Sequence, residues 1–157
     1  MANFSVTSIA QCVNQAIDEF PFSPKERELV TYQDQTDFQF IGSNGLLIFV
    51  LFNLFKNALW AIKSSRRGTI TISTYRNTRH GILEFHDTAI GIPPDNLPYI
   101  FDEFFSTRQS AGGTGVGLSF CRHVIKSFGG TIRCASQEGS HTTFSLEFPL
   151  VRPHDSR

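Results

Sequence analysis

The sequence predicts an α+β sandwich, in which helices cover one face of a β-sheet. Apolar residues recur at helical spacing over residues 5–20, and the mostly apolar segment 44–64 also suits a helix. Short β-rich runs stand between the helices without strict strand–helix alternation, which favours an α+β arrangement. A chain of 157 residues is one domain of ordinary size, long enough to bury a core.

The first half of the chain is expected to hold two helices and one hairpin. Two prolines end the helix over 5–20. The next two runs, 28–32 and 36–41, are separated by three polar residues and suggest a hairpin. Ser43 is a plausible N-cap for the long helix over 44–64.

The second half begins with another hairpin candidate, formed by the runs 69–76 and 80–86. The glycine pair at 129–130 follows a predicted helix over 116–128 and suits a glycine C-cap. The remaining predicted elements are, in order, a loop over 87–115, that helix over 116–128, strands over 131–136 and 142–148, and a frayed tail from Pro149 onward.

The composition excludes several function classes. Formal charge is zero, with 14 basic and 14 acidic residues, so no basic surface for nucleic acid or membrane lipid is expected. Three cysteines (Cys12, Cys121, Cys134) lack metal-ligand spacing and are interpreted as buried thiols in a reducing compartment. No apolar run of about 18 residues and no N-terminal signal segment is found, so a cytoplasmic chain without direct membrane insertion is expected.

Two asparagines in the long helix are the first candidate functional residues. Asn53 and Asn57 are four residues apart, so both amides project from one helical face. Among apolar neighbours such as Phe49, a carboxamide without a partner would be costly. An amide oxygen suits magnesium, especially where phosphates supply the remaining charge. Two surface or capping asparagines would give the same pattern.

The second candidate is the segment 87–93, directly after a predicted strand. The carboxylate of Asp87 can accept a hydrogen bond from an exocyclic amine. Gly91 allows the backbone to approach a flat ring closely. An ordinary turn initiated by aspartate is the alternative interpretation.

The third candidate is the glycine-rich segment 112–119, which opens a predicted helix. Its glycines free backbone N–H groups to face a phosphate, and the helix N-terminus adds favourable partial charge. Leu118 stands where a P-loop needs lysine and where the dinucleotide fingerprint needs its third glycine, which excludes both motifs. A flexible hinge is the alternative, but the order and spacing of all three segments favour one functional site.

These segments resemble a known family, the catalytic ATP-binding domain of bacterial sensor histidine kinases in the GHKL superfamily. The resemblance covers nearly the whole chain and implies a mixed sheet with three helices on one face. Residues 1–150 would be the catalytic domain and 151–157 a C-terminal tail. The segments similar to the family's N, G1, F and G2 boxes are, in order, 53–58, 87–91, 101–105 and 113–117.

The resemblance implies a role for each site residue. Asn57 would bind Mg²⁺, and Asn53 would contact the phosphate side of ATP. Asp87 would accept from the adenine amino group, and Gly91 would let the chain pass beside the base. Thr142 would support the adenine pocket from a neighbouring strand.

The resemblance also assigns roles to the loop before the last helix, the ATP lid. Gly113, Gly115 and Gly117 would wrap the phosphates. Arg108 stands where short-lid kinases carry a basic residue near the terminal phosphate, and the lid over 109–112 is likewise short.

One residue departs from the family pattern. Ala89 replaces the first glycine of the DxGxG motif, which is harmless if the backbone there has a negative φ and costly otherwise. The phenylalanine-rich helix and residues 119–122 resemble hybrid kinases that sense autoinducers. A degenerate ATP-sensing or docking module is therefore one alternative function.

The expected function is transfer of the γ-phosphoryl group of ATP to a histidine on a separate dimerisation domain, within two-component signalling. No dimerisation hairpin is found, and none of the five histidines has the context of a family phosphoacceptor. The partners implied are that histidine-bearing domain of the same kinase and a response regulator. Gyrase-like ATPases have a glutamate base where Asn53 stands, which argues against hydrolysis. A protein-serine kinase of the anti-sigma type stays an alternative.

Overall fold

A five-stranded mixed sheet forms one layer of the structure, and helices form the other. The structure is a computed structural model that describes residues 3–103, 105 and 117–152. A short 3-10 turn covers Leu97–Tyr99. The strands are β1 (Ser5–Ser8), β2 (Val30–Gln35), β3 (Gln39–Gly42), β4 (Ile70–Arg76), β5 (His80–Asp87), β6 (Thr131–Gln137) and β7 (His141–Pro149). The helices are α1 (Ile9–Glu19), α2 (Pro24–Glu28), α3 (Asn44–Ser65) and α4 (Gly117–Ser127).

The strand order confirms the predicted fold class. The large sheet runs β2-β4-β5-β7-β6, with β2 and β4 parallel and the other neighbours antiparallel. The strands β1 and β3 form a separate antiparallel pair. The long helix α3 packs against both α1 and α4. The result is an α+β sandwich with the helices on one face, as the sequence predicts.

The core lies between the two layers and is rich in phenylalanine. Phe85 of β5 packs against Phe55 of α3 with ring centroids 5.4 Å apart. Phe148 of β7 packs against Phe40 of β3 at 4.7 Å. Such ring contacts join a strand to a helix and one strand to another, and the chain carries 16 phenylalanines that can make them.

The predicted start of the first helix is wrong. Residues Ser5–Ser8 form β1, and the helix begins at Ile9. In β1 the side chain of Thr7 is buried while that of Val6 is exposed. Because Val6 and Ile9 are three residues apart, the same apolar spacing fits a helix or a strand followed by a helix.

The predicted hairpin over 28–41 is also wrong. The strand β2 pairs in parallel with β4, and β3 pairs with β1 instead of with β2. The polar residues expected to form a turn belong to β2, where the register shifts between Gln33 and Gln35. The short helix α2, which begins at a capping box between Ser23 and Glu26, is not predicted from the sequence.

The long helix α3 is confirmed over Asn44–Ser65, one residue longer than predicted. The Ser43 side chain accepts a hydrogen bond from the Leu46 N–H, as an N-cap does. By length and composition alone α3 could cross a membrane, since an 18-residue window within it has a mean hydropathy of 1.8. Eight of its residues are buried among the other elements of the fold, which is the setting of a core helix.

The second half of the chain follows the prediction more closely. The strands β4 and β5 form the predicted hairpin, and β6 and β7 form another. The helix α4 ends at Ser127, before Gly129, whose φ of 81° suits the predicted glycine C-cap. The tail is not frayed at Leu150 and Val151, whose N–H groups donate to Arg79 and Gln39 carbonyls.

Candidate functional site

A row of three polar side chains crosses the sheet at the end nearest the loop that follows β5. Asp87 of β5 stands opposite Thr142 of β7, and Thr142 stands opposite Ser136 of β6. Residues in register on neighbouring strands share a face and lie about 5 Å apart. Asp87 and Thr142 are each only 5% exposed, on the face that the core covers. The predicted site residues Asp87 and Thr142 are therefore brought together.

The carboxylate of Asp87 has an unusual environment for a charged group. Burial raises the pKa of Asp87 to about 6, while a hydrogen bond from the Ala89 N–H and the nearby His141 oppose the shift. The Ala89 N–H donates to Oδ1 at 3.1 Å. Among the described residues no second donor reaches this carboxylate, so Oδ2 can accept from a ligand.

The loop after β5 is attached to the turn between β6 and β7. The Ile92 N–H donates to Ser136 Oγ at 2.7 Å, and the Gly139 N–H donates to the Ile90 carbonyl. The guanidinium of Arg67 donates to the carbonyls of Thr88 and Gly139. These bonds fix the backbone on one side of Asp87.

Gly91 occupies a position that no other residue fits without strain. Its φ is 71°, and a Cβ there would lie 2.2 Å from the carbonyl oxygen of Gln137. The predicted close approach of backbone at Gly91 is present, but its partner in the structure is the end of β6. The role of Gly91 beside a base stays a prediction.

Ala89, the departure from the family motif, is accommodated without backbone strain. Its side chain is fully buried. Among the described residues the only non-glycine positions with positive φ are Asp34 and Arg66. Since Ala89 avoids the left-handed region, the missing glycine costs no backbone strain.

The two asparagines of α3 differ in their hydrogen bonding. Asn53 donates from Nδ2 to the Phe49 carbonyl at 2.9 Å, which directs Oδ1 away from the helix backbone. A Cβ built on Gly117 would lie 2.8 Å from that oxygen. The half-buried Asn57 amide has no hydrogen bond to any described residue. The expected apolar surroundings are only partial, because Phe49 is 60% exposed.

The N-terminus of α4 lies against the same stretch of α3. Gly117 lies close enough to Asn53 that an added Cβ would meet its side chain, and the Cys121 thiol lies 3.7 Å from the Val50 carbonyl. A helix N-terminus carries partial positive charge and suits an anion. The structure thus brings Gly117 and Asn53 together, whereas Gly113, Gly115 and Arg108 lie outside the described residues.

The polar groups of the site fit a magnesium–nucleotide complex. The described residues contain no cluster of three or more His, Cys, Asp or Glu side chains that could bind a metal unaided. Asn57 offers a neutral amide oxygen, so phosphate oxygens and water would complete a magnesium ligand set. The accepting edge at Asp87 suits the amine of a base.

Sequence reasoning missed two residues that support the site, Ser136 and Arg67. Ser136 belongs to the polar row because β6 and β7 pair around the turn at Gly139. Pairing those two predicted strands symmetrically about Gly139 would have placed Ser136 opposite Thr142. Nothing in the sequence distinguishes Arg67 from Arg66 beside it, and both are exposed.

A stacked histidine pair lies behind the site, on the other face of the sheet. His86 and His141 have ring centroids 5.5 Å apart, and His86 Nδ1 lies 2.7 Å from the Thr143 hydroxyl. Burial lowers the pKa of His86, and repulsion from His141 adds to that shift. His86 and Thr143 alternate with Asp87 and Thr142 along their strands, so they lie on the opposite face of the sheet.

The fold and the polar site define a class of ATP-binding enzyme domains. The chain belongs to the family of histidine kinase-, DNA gyrase B- and HSP90-like ATPases, whose model matches residues 42–152. The recognised relatives place it with the catalytic domains of sensor histidine kinases, as the sequence resemblance implies.

Two relatives are autoinducer sensors. The chain is 38% identical over 149 residues to the CAI-1 autoinducer sensor kinase/phosphatase CqsS of Vibrio cholerae. It is 40% identical over 148 residues to the autoinducer 1 sensor kinase/phosphatase LuxN of Vibrio campbellii. Both matches cover 94% of this chain but 21% and 17% of those proteins, so the chain spans about a fifth of their length.

Solved structures share the architecture. The catalytic domain of histidine kinase ThkA matches with a TM-score of 0.78 and 25% identity, covering 95% of this chain and 97% of that one. The mycobacterial sensor histidine kinase MprB matches with a TM-score of 0.75 at 20% identity, covering 94% and 98%. The second likeness shows the fold alone.

Proposed function

We propose that this chain binds magnesium–ATP and transfers the γ-phosphoryl group to a histidine on a separate dimerisation domain. The observation that carries the proposal is the placement of Asp87, a buried acceptor, on the sheet face covered by α3, the helix that contains Asn53 and Asn57. An accepting edge for a base and amide oxygens for a metal–phosphate group are what such a substrate requires.

On the base side, Asp87 accepts from the exocyclic amine of adenine. At neutral pH the carboxylate is mostly ionised, because its pKa of about 6 lies below 7. A base with a carbonyl in place of the amine would place a second hydrogen-bond acceptor against the Asp87 carboxylate, and no hydrogen bond could form. ATP is therefore the preferred nucleotide over GTP.

On the phosphate side, Asn57 would bind the magnesium ion, Asn53 would contact the phosphate side of ATP, and Gly117 at the start of α4 would face the phosphates. Magnesium would neutralise charge on the phosphate oxygens. Phosphoryl transfer depends mostly on positioning and charge stabilisation. Arg108 is our candidate for the group that stabilises charge on the transferred phosphoryl.

The backbone at Ala89 argues against the degenerate-module alternative. It rested on Ala89, and Ala89 is buried with an ordinary backbone conformation. Hydrolysis is disfavoured by Asn53, since an amide is a poor general base. The anti-sigma type of protein-serine kinase is the second candidate, and the identity of the acceptor separates it from a histidine kinase.

The relatives suggest the setting in which this domain works. Those named above are sensor kinases several times longer than this chain. We propose that the chain is the cytoplasmic part of a larger receptor, with its dimerisation domain and a response regulator as partners.

The test combines binding and transfer. The chain is titrated with magnesium–ATP by calorimetry and then incubated with labelled ATP and the purified dimerisation domain of its parent kinase. We expect binding, no label on the chain alone, and an acid-labile phosphohistidine on the partner. Binding without transfer, or acid-stable label on a serine, would contradict the histidine-kinase assignment.

A further inference from the structure

The hydroxyl of Ser136 makes three contacts that together use all of its hydrogen-bonding capacity. Its oxygen accepts from the Ile92 N–H at 2.7 Å. It lies 2.8 Å from the His141 carbonyl oxygen and 2.9 Å from the Thr142 hydroxyl oxygen. A serine hydroxyl has one hydrogen to donate and two lone pairs to accept with.

The direction of each bond follows from the partners. A carbonyl oxygen can only accept, so the single hydrogen of Ser136 is donated to the carbonyl of His141. The lone pair that remains on Ser136 then accepts from the hydroxyl of Thr142. The hydrogen of Thr142 is thereby committed, and its own lone pairs are left to face a ligand.

Thr142 stands beside Asp87 in the same row, and Asp87 is also an acceptor at neutral pH. We propose that Ser136 is a specificity-determining residue, which orients the Thr142 hydroxyl so that the base pocket presents only acceptors. This inference rests on the proposed function. An all-acceptor edge binds the two hydrogens of the adenine amine and repels the carbonyl of guanine.

Removal of the Ser136 hydroxyl frees the Thr142 hydroxyl to rotate. It can then donate to a carbonyl, so discrimination between ATP and GTP weakens. If Ser136 had a merely structural role, its loss would distort the loop and lower the affinity for ATP and for GTP by the same factor.

The experiment measures ATP and GTP affinity by calorimetry for six proteins: wild type, Ser136→Ala, Ser136→Thr, Thr142→Val, the Ser136→Ala/Thr142→Val double variant and the control Ser145→Ala. We expect the ratio of ATP to GTP affinity to fall about tenfold in Ser136→Ala. Ser136→Thr keeps the hydroxyl and should restore the ratio. Ser145→Ala, on the opposite face of β7, is the control and should match wild type.

The double variant tests whether Ser136 acts through Thr142. If it does, adding Ser136→Ala to Thr142→Val leaves the ratio unchanged, whatever the effect of Thr142→Val alone. If Ser136→Ala does not fold, Ser136→Cys keeps the volume with weaker hydrogen bonds and replaces it in both comparisons.

Each result decides. An equal loss of affinity for both nucleotides, an unchanged ratio, or a further change in the double variant overturns the role of Ser136 while leaving the proposed function intact. A wild-type chain that binds neither nucleotide overturns the proposed function itself, and the inference with it.

Discussion

The base side and the phosphate side of the candidate site are constructed from different parts of the fold. On the base side, Asp87 and Thr142 are buried in neighbouring strands, and Ser136 and Gly91 connect them to a hydrogen-bonded loop. On the phosphate side, Asn53 and Asn57 are half-buried side chains of one helix. In the proposed function, base recognition would therefore be fixed by sheet register, whereas phosphate recognition would depend on half-buried side chains of one helix.

This difference has an energetic consequence. Substitutions on the base side remove packing and buried hydrogen bonds, so they should change stability and affinity together. Substitutions on the phosphate side remove solvent-accessible polar groups, so they should change transfer with little effect on stability. Three substitutions on the base side and one on the phosphate side test the distinction.

The largest change in stability is expected at Gly91. Replacing it with alanine forces a side chain into positive φ and against the Gln137 carbonyl, at a cost of about 2–4 kcal/mol. Urea denaturation measures the free energy of unfolding. Gly139→Ala is the matched control, because Gly139 has a φ of 83° but no atom within 4 Å of a built Cβ.

Gly139→Ala should lower the free energy of unfolding only by the strain of a side chain at positive φ, about 1 kcal/mol. The difference between the two variants therefore isolates the contact with β6. Equal losses in both would show that Gly91 is required for its backbone conformation alone.

Asp87→Asn should lower ATP affinity at least about tenfold, or about 1.4 kcal/mol, because the amide places donors where the carboxylate accepts. Calorimetry measures the affinity, with Asp18→Asn on the exposed face of α1 as the control. GTP should compete poorly with ATP in the wild type. Equal affinity of the wild type for ATP and GTP would contradict the adenine assignment.

The same variant gives a pH test. Burial raises the folded-state pKa of Asp87 from 3.8 to about 6, so between these values the folded chain holds a proton that the unfolded chain has lost. The free energy of unfolding therefore falls as the pH rises through this window, and Asp87→Asn should lack that component. ATP affinity of the wild type should fall as the pH drops below about 6.

His86 contributes with the opposite sign. Its pKa is lowered in the folded chain, so stability is lost as the pH falls below its ordinary value of 6.5. Because wild type and Asp87→Asn both contain His86, subtracting their denaturation curves leaves the contribution of Asp87. If the difference in unfolding free energy between wild type and Asp87→Asn stays constant from about pH 4 to about pH 7, the raised pKa of Asp87 is contradicted.

The smallest effect is expected at Ala89. Restoring the family glycine should lower stability by about 1 kcal/mol, since glycine has more freedom when unfolded and a buried methyl is lost. ATP affinity should stay within about threefold of the wild type, as measured by calorimetry. A gain of about tenfold would revive the view that Ala89 makes this a degenerate module.

The local features of the fold could be predicted, and the long-range pairings could not. Ser43, the extent of α3 and the β4–β5 hairpin follow from capping and turn chemistry close by in the sequence. The parallel pairing of β2 with β4 joins Val30 to Ile70, and no periodicity within either strand specifies its partner. The predicted hairpin over 28–41 failed for that reason.

The candidate site shows the same division. Asp87 and Gly91 lie in motifs short enough to read directly, and the structure brings Asp87 to Thr142 as the resemblance implies. Ser136 became visible only when strand register aligned it with Thr142. Arg67 donates to two backbone carbonyls, and because every residue has one, the sequence does not show which residues accept.

The most direct test of the account compares Asn57→Ala with Lys56→Ala, a substitution of the exposed neighbour on α3. Labelled phosphate transferred to the dimerisation domain is followed over time at saturating magnesium–ATP. Asn57→Ala should lose about a hundredfold or more of the transfer rate, with unfolding free energy within about 0.5 kcal/mol of wild type. Lys56→Ala should transfer normally. Transfer at the wild-type rate by Asn57→Ala, or a phosphohistidine formed on this chain alone, would contradict the account.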